Sequence, residues 1–474
     1  MIKSYTDYFE RFINLFKSQS TLHPQYRTLE ELKRHLLITH YRNVEKEQII
    51  DFFNIIEPIY DLYEKVLKKM ERVDFNDMID EAIKKITING LSEKYKYILV
   101  DEYQDITYKR YEFLHLLQEK SNAKIFSVGD DWQSIYGFSG SDISLFTDFN
   151  SMFPNTQKHL KLNTTYRNSN ELINIAGNFI QKNPMQLKKE LISQGKNKDN
   201  KQSVKGVYYH FANNDSKNII SSLKIAIEDI MKQYKTGETI CVIGRYNINK
   251  SNSYFIPKFN EEENDDLYYF NQENNGNIKI RYEKYRDLDI LFSTIHKAKG
   301  LEYDYAIFLD GDENFPYTKP EDFLLLPLLH KKETYPNEEE RRMFYVALTR
   351  CKKNVYLLIN EYTPSLFYKE IQSQIIHIND TLIEYCLKNN KEICPNCHNG
   401  IYEEHENKFG SKFWACNNLN CNISTTNKIT KETRKCPKCK EGYLVVRTGP
   451  NGNFLGCTNY KNKHKHCDHT ESIK

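Results

Sequence analysis

Apolar residues recur every three or four positions in Tyr8–Phe16 and again in Ile49–Met70. That is the spacing of amphipathic helices, and residues 1–92 read as helical throughout. Asp74-Phe75-Asn76-Asp77 leads into a further amphipathic stretch, Met78–Ile86. At Tyr97 the pattern changes. Tyr97-Ile98-Leu99-Val100 is a continuous apolar run that ends in Asp101-Glu102, which suits a buried parallel strand with acids at its C-terminal end. A helix over Tyr108–Glu119 and a strand over Lys124–Val128 follow, the latter ending in Gly129-Asp130-Asp131. Strand, helix and strand at this spacing predict a parallel α/β sheet. Residues 194–205 are polar and read as a linker. Beyond them a second α/β unit is expected, with strands at Thr239–Ile243, Ile290–Ser293, Tyr305–Leu309 and Val355–Ile359. The acidic, Asn-rich stretch Asn260–Asn277 reads as a surface insertion.

The chain has 474 residues, and at roughly 100–200 residues per domain this predicts about three domains. Its net charge of +3 excludes a polycation overall. The charge is uneven, however: residues 391–474 hold 14 Lys/Arg against 8 Asp/Glu. A basic tail of this kind favours a polyanionic partner. No apolar run approaches the ~20 residues that span a bilayer, and Met1–Ser18 lacks the apolar core of a signal peptide. The expectation is a soluble, cytoplasmic, nucleoid-associated protein with no membrane partner.

Eight of the eleven cysteines lie after residue 390. Cys394-x₂-Cys397 is followed by Cys416-x₄-Cys421, and Cys436-x₂-Cys439 by Cys457-x₉-Cys467. Two knuckles about 20 residues apart, twice over, suit tetrahedral Cys₄ zinc rather than disulfides. Cys-Pro-x-Cys gives each first knuckle a tight turn that aims both thiolates at one Zn²⁺. His464, His466 or His469 could replace Cys467 as the last ligand. A segment this small needs its metal to fold.

Asp101-Glu102 after an apolar strand can hold a divalent cation with one carboxylate and orient an attacking water with the next. By itself the pair would equally cap the following helix. Here it belongs to a longer ordered set: Asp101-Glu102-Tyr103-Gln104-Asp105, Gly129-Asp130-Asp131-Trp132-Gln133-Ser134-Ile135-Tyr136-Gly137-Phe138, Thr164-Thr165-Tyr166-Arg167, Thr294 to Glu302, and Glu339 to Arg350. The set resembles motifs II to VI of the UvrD/Rep group of superfamily 1 helicases. The stretch from Asn163 to Lys189 is especially similar to the helicase IV branch of that group. The resemblance covers residues 74–360. It implies that Asp101 binds Mg²⁺, that Glu102 activates the hydrolytic water and that Gln133 senses the γ-phosphate of ATP. Arg167 and Arg350 would stabilise charge on the transferring phosphoryl group, as a planar guanidinium can. Lys299 would reach the phosphates and Glu302 the ribose. Tyr136 and Phe138 would stack on bases of single-stranded DNA, and His296 would touch a DNA phosphate. Ser139 stands where the group usually has arginine. The second cysteine unit resembles the DNA-binding zinc ribbons of type IA topoisomerases, which implies DNA contacts from Arg447, Phe454 and Tyr460.

No G-x-x-x-x-G-K-[S/T] phosphate loop occurs in the sequence, although the group carries one upstream of its Asp-Glu motif. Gly195-Lys196 is followed by Asn197. The resemblance therefore implies two RecA-like parallel-sheet domains, the first incomplete. Residues 1–92 would be a remnant of a helical insertion, 93–193 part of the first domain and 206–390 the second, followed by ribbons at 391–430 and 431–474. A sheet without its central strand exposes apolar edges, so either the first domain is poorly folded or a separate chain supplies the Walker A region. The function expected is an ATP-dependent 3′–5′ DNA helicase, truncated or split and inactive alone. The alternative is an ATPase-inactive zinc-ribbon protein that binds single-stranded DNA, and an ATP site of a new kind is a third possibility.

Overall fold

A computed structural model describes residues 2–19, 26–39, 45–154, 158–209, 216–248, 266–271, 278–317, 324, 328, 335–398, 400–418, 421, 423–430, 432–450, 452–461 and 466–473. The chain forms two compact units. Unit 1 comprises Met1–Asn163, Gly177–Leu191 and Tyr317–Val346; unit 2 comprises Thr164–Ala176, Ile192–Pro316 and Ala347–Lys474.

Unit 1 begins with four helices: α1 (Ile2–Lys17), α2 (Leu29–Ile38), α3 (Lys46–Lys69) and α4 (Phe75–Asn89). Phe12, Leu15, Leu32, Leu36, Phe53 and Ile56 interlock in the core of the first three. Polar caps set the starts. The Thr28 side chain accepts the Glu31 N–H, and Asp74 accepts those of Asn76 and Asp77. The same Asp74 meets the buried Lys17 ammonium at 2.8 Å, with Asp77 at 2.7 Å and Glu64 at 2.6 Å. Burial alone would lower the Lys17 pKa, but the three carboxylates hold it raised.

The apolar run at 97 is a strand, β1 (Tyr97–Val100). It pairs in parallel with β2 (Lys124–Ser127) across α5 (Tyr108–Ser121), in register from Tyr97 opposite Lys124 to Val100 opposite Ser127. Successive side chains of a strand point to opposite faces. On one face Val100 and Ile125 pack toward Tyr103, Ile106, Leu145 and Phe153, the latter two supplied by or next to the one-turn helices α6 (Ser144–Thr147) and α7 (Phe149–Met152). On the other, Tyr97 is 58% exposed, Leu99 76% and Phe126 56%. This differs from the buried strand expected: one face of the pair is open, and among the described residues β1 and β2 pair only with each other.

Unit 2 holds a short parallel pair, β3 (Thr164–Thr165) with β4 (Ile192–Ser193), and an eight-stranded sheet. The large sheet runs β12 (Ile376–His377), β5 (Val204–Tyr209), β11 (Cys351–Asn360), β10 (Tyr303–Gly311), β6 (Ile240–Gly244), β9 (Ile290–Thr294), β8 (Ile278–Tyr282), β7 (Leu267–Asn271). From β12 to β9 all neighbours are parallel; β8 and β7 close the edge as an antiparallel pair. Helix α9 (Ser216–Met231) covers the sheet through Ile219, Leu223 and Ile227, which meet Val207, Ile240 and Ile307. Helix α8 (Asn170–Ile180) contributes residues to both units.

Two sequence expectations change here. The polar stretch 194–205 is no free linker: Asn197 and Asn200 donate their side-chain amides to the carbonyls of Lys352 and Lys353 at 3.1 and 3.0 Å, and β5 begins at Val204. Within the Asn-rich stretch 260–277, residues 267–271 form β7, with Leu267 fully buried. Of that stretch, 260–265 and 272–277 lie outside the described residues. No helix among the described residues is long and apolar enough to cross a membrane.

The C-terminal part of unit 2 is two small antiparallel sheets. The first has β13 (Glu392–Ile393), β14 (Ile401–Glu406), β15 (Lys412–Cys416) and β16 (Ser424–Thr425); the second has β17 (Leu444–Gly449), β18 (Gly452–Cys457) and β19 (Thr470–Ser472).

Candidate nucleotide and zinc sites

In unit 1, β1 delivers Asp101 and Glu102 to its C-terminal end, and both side chains are exposed. Glu102 has φ 48° and ψ 39°. The left-handed region is costly for a residue with a Cβ, and its cost of order 1–3 kcal/mol is met where surrounding contacts over-determine it. Those contacts come from Gln104, which is fully buried. Its amide donates to Glu102 Oε2 at 2.5 Å and its Oε1 accepts the Asp130 N–H at 2.9 Å. Gly129 is required beside it, because a Cβ there would lie 2.5 Å from Gln104 Oε1. Asp130 in turn accepts from Gln133 Nε2 at 2.6 Å. One chain of hydrogen bonds thus runs Glu102–Gln104–Asp130–Gln133. Sequence reasoning quoted Gln104 inside a motif and gave it no role.

A second group missed in the sequence supports this chain from behind. Lys189 pairs with Asp130 and, at 2.5 Å, with the fully buried Asp131, and its ammonium lies 4.9 Å from the Trp132 ring centre. Asp131 also accepts the Leu187 N–H at 2.7 Å, while the Trp132 indole donates to the Leu187 carbonyl at 3.0 Å. Burial works against the Lys189 charge, yet Asp130 and Asp131 hold its pKa raised. Tyr136 and Phe138 are half-buried, with ring centres 6.1 Å apart. The Phe138 carbonyl accepts from Arg11 and its N–H points at Glu339. Ser139 donates to the Tyr136 carbonyl and closes that turn.

In unit 2, Arg167 Nε donates to Glu302 at 3.0 Å and Lys352 meets the other Glu302 oxygen at 2.8 Å. Lys352 first, then Arg167, hold the Glu302 carboxyl below its ordinary range. Arg350 is buried and donates to the Leu301 carbonyl and to Thr349 Oγ1. Arg167, Glu302 and Arg350 therefore share one neighbourhood. Lys299 is half-buried, just beyond the one-turn helix α10 (Ile295–Ala298), which carries His296; Gly300 follows with φ 79°.

The eight tail cysteines form two clusters, each with all four sulfurs within 4.8 Å of one another. The closest pairs are Cys394–Cys421 and Cys397–Cys416 at 3.7 Å, Cys436–Cys467 at 3.8 Å and Cys439–Cys457 at 3.6 Å. A tetrahedron with ~2.3 Å zinc–sulfur bonds has edges of about 3.8 Å, whereas a disulfide brings its sulfurs to about 2.05 Å. Thiolate donors at this separation fit zinc. Cys467 is the fourth ligand of the second site. His466 is engaged with the Tyr460 carbonyl and His469 with Glu471, and His464 lies outside the described residues.

Both ribbons share details the sequence held but did not announce. Gly400 and Gly442 each stand three residues past a second cysteine. A Cβ there would lie 2.6 Å from Cys416 Sγ and 2.7 Å from Cys457 Sγ. Asn418 and Asn459 each stand two residues past a third cysteine and donate their backbone N–H to it at 3.3 and 3.4 Å. Their side-chain amides reach Cys397 and Cys439. N–H donors stabilise thiolate charge and orient the ligands. On the second ribbon Arg447 and Phe454 are cross-strand partners, and Tyr460 is exposed on the turn after β18, its ring 5.4 Å from His466.

The sheets and four-cysteine sites define an α/β protein that carries zinc ribbons. Residues 2–154 match the UvrD/REP helicase N-terminal domain, and residues 249–362 the UvrD-like helicase C-terminal domain. Residues 391–428 and 433–474 match the topoisomerase DNA-binding C4 zinc finger. The chain belongs to the UvrD/Rep-like family of DNA helicases. It is similar to DNA helicase IV of Escherichia coli, at 31% identity over 339 residues, 69% of this chain and 43% of that protein. Similar too are the ATP-dependent DNA helicase Rep of Buchnera aphidicola (36% over 28% of this chain and 20% of that protein) and the PcrA helicase of Staphylococcus epidermidis (29% over 39% and 24%). The chain spans less than half the length of these curated relatives.

Proposed function

We propose that the chain forms the greater part of an ATP-driven 3′–5′ translocase on single-stranded DNA, that unwinding of duplex follows from this movement, and that the phosphate-cradling loop comes from polypeptide outside these 474 residues. The observation that carries the reading is the hydrogen-bonded chain Glu102–Gln104–Asp130–Gln133 at a parallel-strand end. Oxygen donors at Asp101 and Glu102 suit Mg²⁺, which would neutralise phosphate charge. Glu102 is then placed to orient the attacking water, with its backbone fixed by Gln104. Gln133 would report the γ-phosphate to Asp130 and so to the rest of unit 1. Arg167 and Arg350 would supply positive charge to the phosphoryl oxygens, and Arg167 would exchange Glu302 for that role. Lys299 and Glu302 would touch phosphate and ribose, and Tyr136, Phe138 and His296 the DNA.

The exposed Tyr97, Leu99 and Phe126 support the external loop, because a parallel sheet is normally covered on both faces. For the ribbons, the adjacent Arg447 and Phe454 offer a phosphate contact beside a stacking surface. An ATPase-inactive DNA-binding protein is the second reading, favoured by the lack of any G-x-x-x-x-G-K-[S/T] pattern in the sequence. The test is ATP hydrolysis with and without a single-stranded oligonucleotide, by the chain alone and mixed with the product of any adjoining reading frame that encodes a phosphate loop. The proposal expects DNA binding without hydrolysis by the chain alone, and hydrolysis by the mixture. Hydrolysis by the chain alone would refute the external loop. An inactive mixture in which both proteins bind each other would favour the second reading.

A further inference from the structure

The hairpins of the two ribbons match pair for pair, and the match separates their roles. Cys416 is paired with Tyr402, and Cys457 with Leu444. Three pairs further along, the second ribbon has Arg447 opposite Phe454 and the first has His405 opposite Phe413. Around Arg447 on β17 stand Val445, Val446 and Thr448; around His405 on β14 stand Glu403, Glu404 and Glu406. Residues 431–474 hold 10 Lys/Arg against 4 Asp/Glu, whereas residues 391–430 hold 4 of each. Three of those four lysines are tied to glutamates of the same ribbon: Lys391 to Glu403 at 2.7 Å, Lys412 to Glu404 at 2.9 Å and Lys428 to Glu392 at 2.5 Å. The fourth, Lys408, lies over the Phe409 ring. A polyanion is therefore drawn to the second ribbon and repelled by the β14 strand of the first.

The first ribbon holds its neighbours instead. Ile393 and Ile401 pack with Tyr362 and with Leu382 and Cys386 of the helix Leu382–Lys388, and the Tyr362 hydroxyl donates to the His398 carbonyl at 2.9 Å. From the second ribbon, Val445 is buried in the first ribbon's core with Tyr402, Ile423 and Ile429, and Tyr443 packs against it. Glu403 holds the matching position in the first ribbon, so this apolar contact is one-sided. Asn396 donates its amide to Cys421 Sγ at 3.5 Å and accepts the hydroxyl of Thr458, the residue after Cys457, at 3.4 Å. A path of contacts thus joins the two metal sites. Val445 and Arg447 share one face of β17, so seating Val445 fixes Arg447. We propose that the ribbons divide the work: the second binds single-stranded DNA, and the first is a bracket that binds none and fixes the second to the α/β part of unit 2. The division rests on the DNA contacts proposed above for Arg447 and Phe454.

The test uses the full zinc-loaded chain and two readouts. Trypsin cleavage after Lys428, Arg434 or Lys435 reads the seat, because cutting between the ribbons tracks the population in which they part. Val445→Ala combined with Asn396→Ala removes buried methyls and a hydrogen bond and should speed this cleavage about tenfold, with both zinc ions retained. Fluorescence anisotropy with a labelled single-stranded oligonucleotide reads the division. Phe454→Ala should weaken binding about 5- to 150-fold, and Phe409→Ala and Phe413→Ala less than about twofold. A loss from Phe409→Ala or Phe413→Ala as large as that from Phe454→Ala would overturn the division. An unchanged cleavage rate in Val445→Ala/Asn396→Ala would overturn the bracket. No loss from Phe454→Ala would refute the DNA reading of the second ribbon and the division with it, an outcome distinct from failure of the bracket, which the cleavage assay reads without DNA.

Discussion

Replacing Lys189 with methionine keeps the length of the side chain and removes its charge. Asp131 would then be a fully buried carboxylate whose remaining hydrogen-bond donor is the Leu187 N–H. Breaking a buried pair by removing one partner costs about 3–5 kcal/mol. The carboxylate has an escape, which is to take up a proton. From its ordinary value of 3.8, protonation at pH 7 costs about 4 kcal/mol, and at pH 5 less than half of that, at ~1.4 kcal/mol per pH unit. The loss in Lys189→Met is therefore about 4 kcal/mol at pH 7 and falls toward about 1.6 kcal/mol at pH 5. Two units make a single global unfolding curve ambiguous, so the readout is hydrogen exchange of backbone amides at 131–136 and 185–189. Opening there should be roughly several hundredfold more frequent at pH 7, after correction for intrinsic exchange. Adding Asp131→Asn should recover most of the loss at pH 7. A change below tenfold, or one equally large at both pH values, would refute the claim that Lys189 neutralises Asp131 behind the Gln133 segment.

Further outcomes follow from the same contacts. Elemental analysis should find two zinc ions per chain, and Asn459→Ala should weaken the second site by about 10–100-fold, measured by chelator competition; an unchanged affinity would remove Asn459 from the zinc shell. Phe454→Ala should cost about 1–3 kcal/mol of single-strand binding, while Arg447→Ala should reduce the slope of log K against log salt by about 0.7. Equal slopes would place Arg447 away from the phosphates. Lys17→Met should open α1 and α4 to exchange. Asp74 has its pKa lowered by Lys17 and by the Asp77 N–H against the effect of burial, so it stabilises above its unfolded value and the effect is lost as pH falls through the folded one. Lys17, raised, stabilises below its unfolded value and is lost as pH rises through the folded one. The difference between wild type and Lys17→Met should thus be flat from about pH 4 to 10 and shrink outside that window.

What could be read from the sequence was whatever a local pattern determines. Tyr97–Val100 announces a strand because four apolar residues end in two acids, and the cysteine spacings announce two metals because Cys-x₂-Cys constrains its own geometry. What could not be read depends on distant residues. Nothing local marks Gln104 as the link between Glu102 and Asp130, since its partners meet only when β1 and β2 lie side by side. Lys189 looks like any surface lysine until a chain reversal brings it under Asp131. Val204–Tyr209 was overshadowed by the polar residues before it, which fold back onto Lys352 and Lys353 by side-chain amides. Asn418 and Asn459 were legible in principle, because Cys-x-Asn occurs at the same place in both ribbons, but a pattern of two residues stands out only after the geometry gives it a purpose.

Glu102 is proposed to orient the water that attacks ATP, with the phosphate loop supplied from elsewhere. The most direct test is steady-state ATP hydrolysis on single-stranded DNA by the chain together with a phosphate-loop polypeptide, comparing wild type with Glu102→Gln. Loss of a positioned general base predicts a fall of about 10²–10⁴-fold in kcat with KM little changed. An unchanged kcat in Glu102→Gln would contradict the account.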